Sequence, residues 1–315
     1  MAKHLPALSL VALVLLVATC AAQPPGQTVG VAGHASPADR ALRPVVTTSE
    51  LVVGQNRLAF GLLQNNTWLE DAEVVVRLYE MTDQQARLKA EMPALYDKLR
   101  VVEQGNRVHI HPDGTRHVHN ETTDIRGLYV TQVIFPQPGI WGLEIVTKQG
   151  DKRVQTARFA VNVLAAPLTP TLGAPAPPSR NRIIGDISDV RQIDSSNPPD
   201  ARLHQIRIAD AMAQRKPQVI VFATPQFCTT RLCGPVMDVV RTLLPAYSDR
   251  VVFTHEEIWQ DFSAHKRSPT VEAWRLPSEP WIFIVDGQGV VRAKFEGLVT
   301  EHEIETVLKR VLELE

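Results

Sequence analysis

Residues 219–245 read VIVFATPQFCTTRLCGPVMDVVRTLLP, and this stretch decides how the second half of the chain is read. It opens with an uninterrupted apolar run, the pattern of a strand buried on both faces. Pro225 breaks that run, and apolar residues recur at helical spacing after Gly234. Proline is tolerated in the first turn of a helix and not deep inside one, so Pro235 predicts a helix that starts near Cys233 and leaves Cys228 in the preceding loop. Two cysteines therefore straddle a strand-to-helix turn. A thiol at a helix N-terminus faces the positive end of the dipole, and Arg231 and Arg241 add positive charge, which favours the nucleophilic thiolate. On this reading Cys233 attacks and Cys228 resolves, because four intervening loop residues can bring the α-carbons within the ~4.4–6.8 Å that a disulfide requires. A permanent disulfide that pins loop to helix is the structural alternative.

Outward from this motif, residues 201–214 have helical spacing, residues 250–258 (RVVFTHEEI) form a strand run and residues 271–275 a short helix. The strand run WIFIVD follows Pro280, a DGQG turn leads into VVRAKFEG, and a final helix spans 300–314 with Thr300 and Glu303 as a capping box. This order, β-α-β-α-β-β-α over residues 181–315, resembles the thioredoxin fold. Cys233-Gly234-Pro235 reproduces the first three residues of the thioredoxin-type Cys-Gly-Pro-Cys, with Val236 in place of the second cysteine and Cys228 upstream instead. The resemblance implies a thiol-disulfide oxidoreductase, with Cys228, Cys233 and Pro280 in the catalytic set. Gly234, Pro235 and Arg231 would support them. It also implies that Pro280, in Ser278-Glu279-Pro280-Trp281, is a cis-proline packed beside the active cysteine.

Two other families share part of the pattern. The Cys-x4-Cys spacing resembles peroxiredoxins of the bacterioferritin-comigratory type, which would make Cys228 a peroxidatic nucleophile. Thr224-Pro225-Gln226-Phe227-Cys228 is one residue longer than that motif, which displaces the threonine that orients peroxide. The Sco family binds copper through two cysteines and a distant histidine, a place that His255 would take here, although the spacing in Sco is Cys-x3-Cys.

The first half reads as strands: runs at 50–64, 72–81, 127–135, 139–147 and 154–164 are rich in Val, Ile, Leu and aromatics and end at turn residues. Several short strands over residues 45–164 predict an all-β, immunoglobulin-like sandwich. The pattern Gly127-x-Tyr129, Phe135, Gly139-x-Trp141 resembles small sandwich modules of bacterial exported and copper-resistance proteins. Residues 83–99 have helix-forming composition interrupted by Pro93 and receive no assignment. Residues 165–180 (AAPLTPTLGAPAPPSR) are breaker-rich and read as an interdomain linker before the α/β thioredoxin-like domain of residues 181–315.

Residues 1–22 carry a basic start, an apolar run and small residues, as a secretory signal does. Val17-Ala18-Thr19-Cys20 resembles a bacterial lipobox in which Cys20 is lipidated, with cleavage after Ala22 the other processing route. Residues 23–44 suit a flexible tether. The expected location is the outer face of the cell membrane, or a secreted or periplasmic protein. The formal net charge of -1, with 21% charged and 44% hydrophobic residues, excludes a strongly basic nucleic-acid binder and a wholly disordered chain. The expected partners are protein thiols or disulfides, and a redox partner protein. The expected chemistry requires no cofactor.

One further pattern is residues 109–119, HIHPDGTRHVH. His109, His111, His117 and His119 alternate along two strands flanking a Pro-Asp-Gly turn, so one face of a hairpin could gather four imidazoles for copper or zinc. A solvated polar hairpin is the alternative.

Overall fold

A computed structural model describes residues 42–82, 85–100, 107–110, 116–119, 125–149, 152–228, 230–262, 264 and 266–314. The strands of the first half are β1 (Arg43–Val46), β2 (Leu51–Val52), β3 (Gly54–Gln64), β4 (Thr67–Trp68), β5 (Glu73–Met81), β6 (Ala86–Lys98), β7 (Arg107–Ile110), β8 (Arg116–His119), β9 (Gly127–Phe135), β10 (Gly139–Gln149) and β11 (Lys152–Leu164). Nine of them form one sheet in the order β1-β3-β9-β6-β5-β10-β11-β2, with β4 on β3, while β7 and β8 form a separate ribbon. The sheet is continuous because β6 belongs to both of its parts: Ala86 to Ala94 pair with β5, and Leu95 to Lys98 pair with β9. Leu58, Phe60, Tyr129, Val133, Trp141, Leu143 and Ile145 fill its interior. Tyr129 is anchored there by its hydroxyl, which donates to Leu69 O and accepts from Ala72 N.

The second half holds β12 (Gln218–Phe222), β13 (Val252–Glu256), β14 (Trp259–Asp261), β15 (Lys266–Arg267), β16 (Trp281–Val285) and β17 (Val291–Glu296). Its helices are α1 (Ile208–Ala213), α2 (Cys233–Tyr247), α3 (Pro269–Ala273) and α4 (Glu301–Val311). A four-stranded sheet runs β13-β12-β16-β17, parallel between β12 and β13 and antiparallel elsewhere. Alternate residues of β12 and β16 enter different cores. Val219, Val221, Ile282 and Ile284 pack with α2 and α4, while Ile220, Phe222, Trp281 and Phe283 pack with Ile208, Val271 and Trp274. Burial on both faces explains why these strands lack polar alternation.

The fold class expected from the sequence is corrected by this architecture. Among the described residues the protein is mostly β, with 41% in strands against 20% in helices, and the largest feature is the curled nine-stranded sheet. An α/β thioredoxin-like second domain behind an immunoglobulin-like sandwich does not describe that composition. Two physical reasons account for the difference. In residues 201–214, Arg207 is extended (φ -74, ψ 149), which splits the expected helix into a 3-10 turn (Ala201–His204) and the six-residue α1. In the first half, residues 86–98 form a thirteen-residue strand that carries one half of the sheet into the other. Helix-forming composition loses here to cross-strand pairing.

Within residues 165–180, the stretch 173–176 lies along the start of β17: Gly173 N donates to Val291 O (2.8 Å), and Val291 N donates to Ala174 O (3.0 Å). Polar contacts also join the two halves. Glu50 is buried and receives Lys294 Nζ at 2.6 Å, Leu168 N at 2.9 Å and Thr169 N at 3.0 Å. Burial alone would raise the Glu50 pKa, but Lys294 and the Thr169 hydrogen bonds outweigh it and hold the carboxyl below its usual range. Arg57 clamps Glu303 through two N–H groups at 2.6 and 2.8 Å. Glu296 accepts from Ser49 N at 2.6 Å, from Glu50 N at 2.7 Å and from the Ser49 hydroxyl.

Candidate functional site

The turn between β12 and α2 carries the cysteines. β12 is buried along its whole length, and the chain turns at residues 225–227, where Phe227 N donates to Thr224 O at 3.1 Å. Arg231 closes the loop with a left-handed φ of 60° and donates its N–H to Cys228 O at 3.3 Å. α2 begins at Cys233, with no acidic side chain in its first turn and no side-chain cap. Its opening N–H groups therefore place partial positive charge at the end of the helix that carries Cys233. Gly234 and Pro235 follow inside that first turn, where proline costs no hydrogen bond.

Cys228 and Cys233 are joined as a disulfide, with α-carbons 6.1 Å apart. Their surroundings differ. Cys233 is 0% exposed and packs with Val236, Met237 and the β12 core, whereas Cys228 is only partly buried, next to Phe227 at 39% exposure. The Phe227 ring pairs with Phe262 at 5.2 Å. Thr230 Oγ1 lies 3.2 Å from Cys228 Sγ. Arg231 is exposed, and Arg241 is engaged elsewhere, 3.7 Å from Asp200 and 3.4 Å from Asp238. Arg241 therefore lends its charge to those carboxylates and not to the thiols.

Pro280 is buried and follows a cis Glu279–Pro280 bond at the head of β16. The residue before it was not anticipated as functional. Glu279 Oε2 lies 3.6 Å from Cys233 Sγ, although forty-six positions separate the two residues. Burial raises its pKa, against hydrogen bonds from the Thr224 side chain and backbone and the charge of Arg267. The only cue in the sequence was its place next to Pro280.

A second cluster lies in the same half. Asp194, His204 and His255 are all 0% exposed and present one donor atom each within 4.8 Å of one another, a group that could hold a metal ion. His204 Nε2 is 3.3 Å from Asp194 Oδ2, and His255 Nδ1 is 3.5 Å from Asp194 Oδ1. Asp194 also accepts from Ser196 N at 2.8 Å and Asp200 N at 2.7 Å, which folds residues 194–200 around it. Burial alone would lower the His255 pKa, yet the charge and hydrogen bond of Asp194, with Glu257 and Ala223 O, raise it to about 9. Burial raises the Asp194 pKa in isolation, and His255 and His204 more than reverse this, leaving it far below its usual range. His204 is lowered by burial despite Asp194. A charged Asp194–His255 pair with a neutral His204 follows. The imidazoles and carboxylate are ligand types that suit zinc, and the His204 Nδ1 has no hydrogen-bond partner among the described residues. Of these three residues, His255 stood out in the sequence. Asp194 and His204 did not, because they sit ten positions apart in a segment without periodicity.

Of the histidine hairpin, β7 and β8 pair His109 with His117 and Arg107 with His119. His111 lies outside the described residues, as do the side chains of His109, His117 and His119. Cys20 and the rest of residues 1–41 also lie outside them. No helix among the described residues is long and apolar enough to cross a membrane.

No protein-family model matches the chain, and no curated protein matches its sequence. The functional reading therefore stands on the geometry.

Proposed function

We propose that the protein is an extracytoplasmic thiol-disulfide oxidoreductase that exchanges its Cys228–Cys233 disulfide with the thiols or disulfides of a partner protein. One observation carries this reading: the disulfide joins a partly exposed sulfur in a loop to a fully buried sulfur at a helix N-terminus. An incoming thiolate reaches Cys228 Sγ and not Cys233. Attack there forms a new bond from the partner sulfur to Cys228, breaks the Cys228–Cys233 bond, and releases Cys233 as a thiolate that the helix N-terminus stabilises. A second partner thiol then releases Cys228 and completes a two-electron reduction. Run in reverse, the same steps oxidise a dithiol partner. This assigns the attacking role to Cys228 and the resolving role to Cys233, opposite to the order suggested by the helix dipole alone. Burial decides it, because access precedes reactivity.

The deciding test is the reduction potential of the pair. A value in the range of about -120 to -270 mV fits exchange chemistry, whereas one below about -300 mV marks a structural disulfide and overturns the reading. The proposed location rests on residues 1–22 and Cys20; release of the protein from the membrane fraction by Cys20→Ala would support lipid attachment.

The second reading is a metal-binding protein, favoured by the Asp194, His204 and His255 group. Copper or zinc at the hairpin of His109, His111, His117 and His119 is the finer form of that reading. Zinc titration separates the two places: uptake lost in His204→Ala points to the buried group, and uptake lost only when the four hairpin histidines are replaced points to the hairpin.

A further inference from the structure

The oxidoreductase reading leaves one chemical problem, and Glu279 stands where it arises. When the disulfide opens, Cys233 leaves as an anion at a site with 0% exposure. An uncompensated buried charge is costly, and the helix N-terminus offsets only part of that cost. Water does not reach this sulfur, so the proton must come from the protein. Glu279 Oε2 is 3.6 Å from Cys233 Sγ, the carboxyl is partly buried, and it forms a compact group with both cysteines, the three donor atoms lying within 4.8 Å of one another.

The groups that face this carboxyl come from three elements. Thr224, two residues beyond β12, hydrogen-bonds to it through side chain and backbone, Arg267 of β15 supplies the facing positive charge, and Cys233 opens α2. Thr224 is itself fixed, since its Oγ1 accepts from Ile258 N at 3.2 Å. The carboxyl is thereby aimed at the sulfur by residues on either side of the disulfide loop. Burial favours its protonated form, which gives it a proton to donate.

We propose that Glu279 is the proton carrier of the exchange reaction, donating to Cys233 as it leaves and taking the same proton back when Cys233 attacks. In the reductive direction a partner thiolate bonds to Cys228 Sγ, the Cys228–Cys233 electron pair goes to Cys233 Sγ, and the Glu279 proton moves to that sulfur, leaving the carboxylate. In the oxidative direction the Cys233 thiol gives its proton to the Glu279 carboxylate, the Cys233 thiolate bonds to Cys228 Sγ, and the partner leaves with the electron pair. The two electrons pass between the enzyme disulfide and the partner dithiol, and no other redox agent is needed. Cys228, which is partly exposed, exchanges its proton with water.

The test uses the full-length chain with dithiothreitol as the dithiol, following disulfide reduction from pH 5 to 9 in wild type, Glu279→Gln and Glu279→Asp. Glu279→Gln is expected to slow reduction by at least about tenfold and to remove the carboxyl limb of the rate–pH profile, with Glu279→Asp restoring part of both. Equal rates and equal profiles in wild type and Glu279→Gln overturn the proposal. So does a slower Glu279→Gln whose profile keeps the wild-type shape, since that marks a packing role. A wild-type disulfide that dithiothreitol does not reduce sinks the oxidoreductase reading itself, a result distinct from loss of the Glu279 effect in an exchanging protein. Thermal unfolding of each variant identifies a misfolded one, and Glu279→Asp, which keeps the carboxyl, then carries the comparison.

Discussion

Two clusters in the second half hold residues capable of similar chemistry, and access separates them. Around Cys228, Cys233 and Glu279 one sulfur is reachable, one is sealed, and a carboxyl stands beside the sealed one. Around Asp194, His204 and His255 every side chain is sealed, and the carboxylate is already satisfied by two imidazoles and two backbone N–H groups. On the proposed reading, the first passes electrons to a partner. The second binds residues 194–200 to β13 as a buried ion pair, with His204 Nδ1 left without a hydrogen-bond partner among the described residues. The two are also linked: His255 Nε2 donates to Ala223 O at 3.0 Å, and Ser195 Oγ accepts from Gln226 N at 3.2 Å. The sealed cluster therefore braces the loop that presents Cys228.

The largest expected effect breaks the sealed cluster. Asp194→Asn leaves His255 without its counter-charge and should lower stability by about 3 to 5 kcal/mol in denaturant unfolding, while the reduction potential of the cysteine pair stays within about 30 mV. A stable Asp194→Asn protein would contradict the ion-pair account and favour the metal reading.

A smaller effect is expected at Glu50, another sealed carboxylate. Glu50→Gln should cost about 2 kcal/mol at pH 7. The Glu50 pKa is lower in the folded protein than its ordinary value of 4.5, so its contribution is present above that pH and is lost as pH falls through the folded value. The difference between wild type and variant should therefore shrink from pH 7 to pH 3; a constant difference would contradict the assignment. The smallest effect concerns the open rim: Phe227→Ala should change stability by less than about 1 kcal/mol in thermal unfolding yet weaken exchange with a protein partner. A large loss of stability there would show that Phe227 is core and not contact surface.

Much of the local structure was legible. The runs at 54–64, 73–81, 127–135 and 281–285 are strands because apolar and β-branched residues dominate them, and the Thr300 and Glu303 capping box forms as the spacing requires. The start of α2 at Cys233 follows from Pro235. What the sequence hid was long-range. β6 is exposed over most of its length, so no apolar alternation marks it, and only its pairing with β5 and β9 makes it a strand. That one element changes the sheet from the expected sandwich into a continuous curl. Glu279 was hidden for the same reason, since its chemistry comes from a sulfur that only the tertiary fold brings near.

Trapping of mixed disulfides tests the central claim most directly. In full-length Cys233→Ser protein, the Cys228 thiolate attacks a disulfide-bearing protein, one partner sulfur leaves with the electron pair, and no resolving cysteine follows, so a mixed disulfide should accumulate and dissolve on reduction, while Cys228→Ser should trap nothing because Cys233 is sealed. Trapping by Cys228→Ser alone, or by neither variant, would contradict the account of an exchangeable disulfide entered through Cys228.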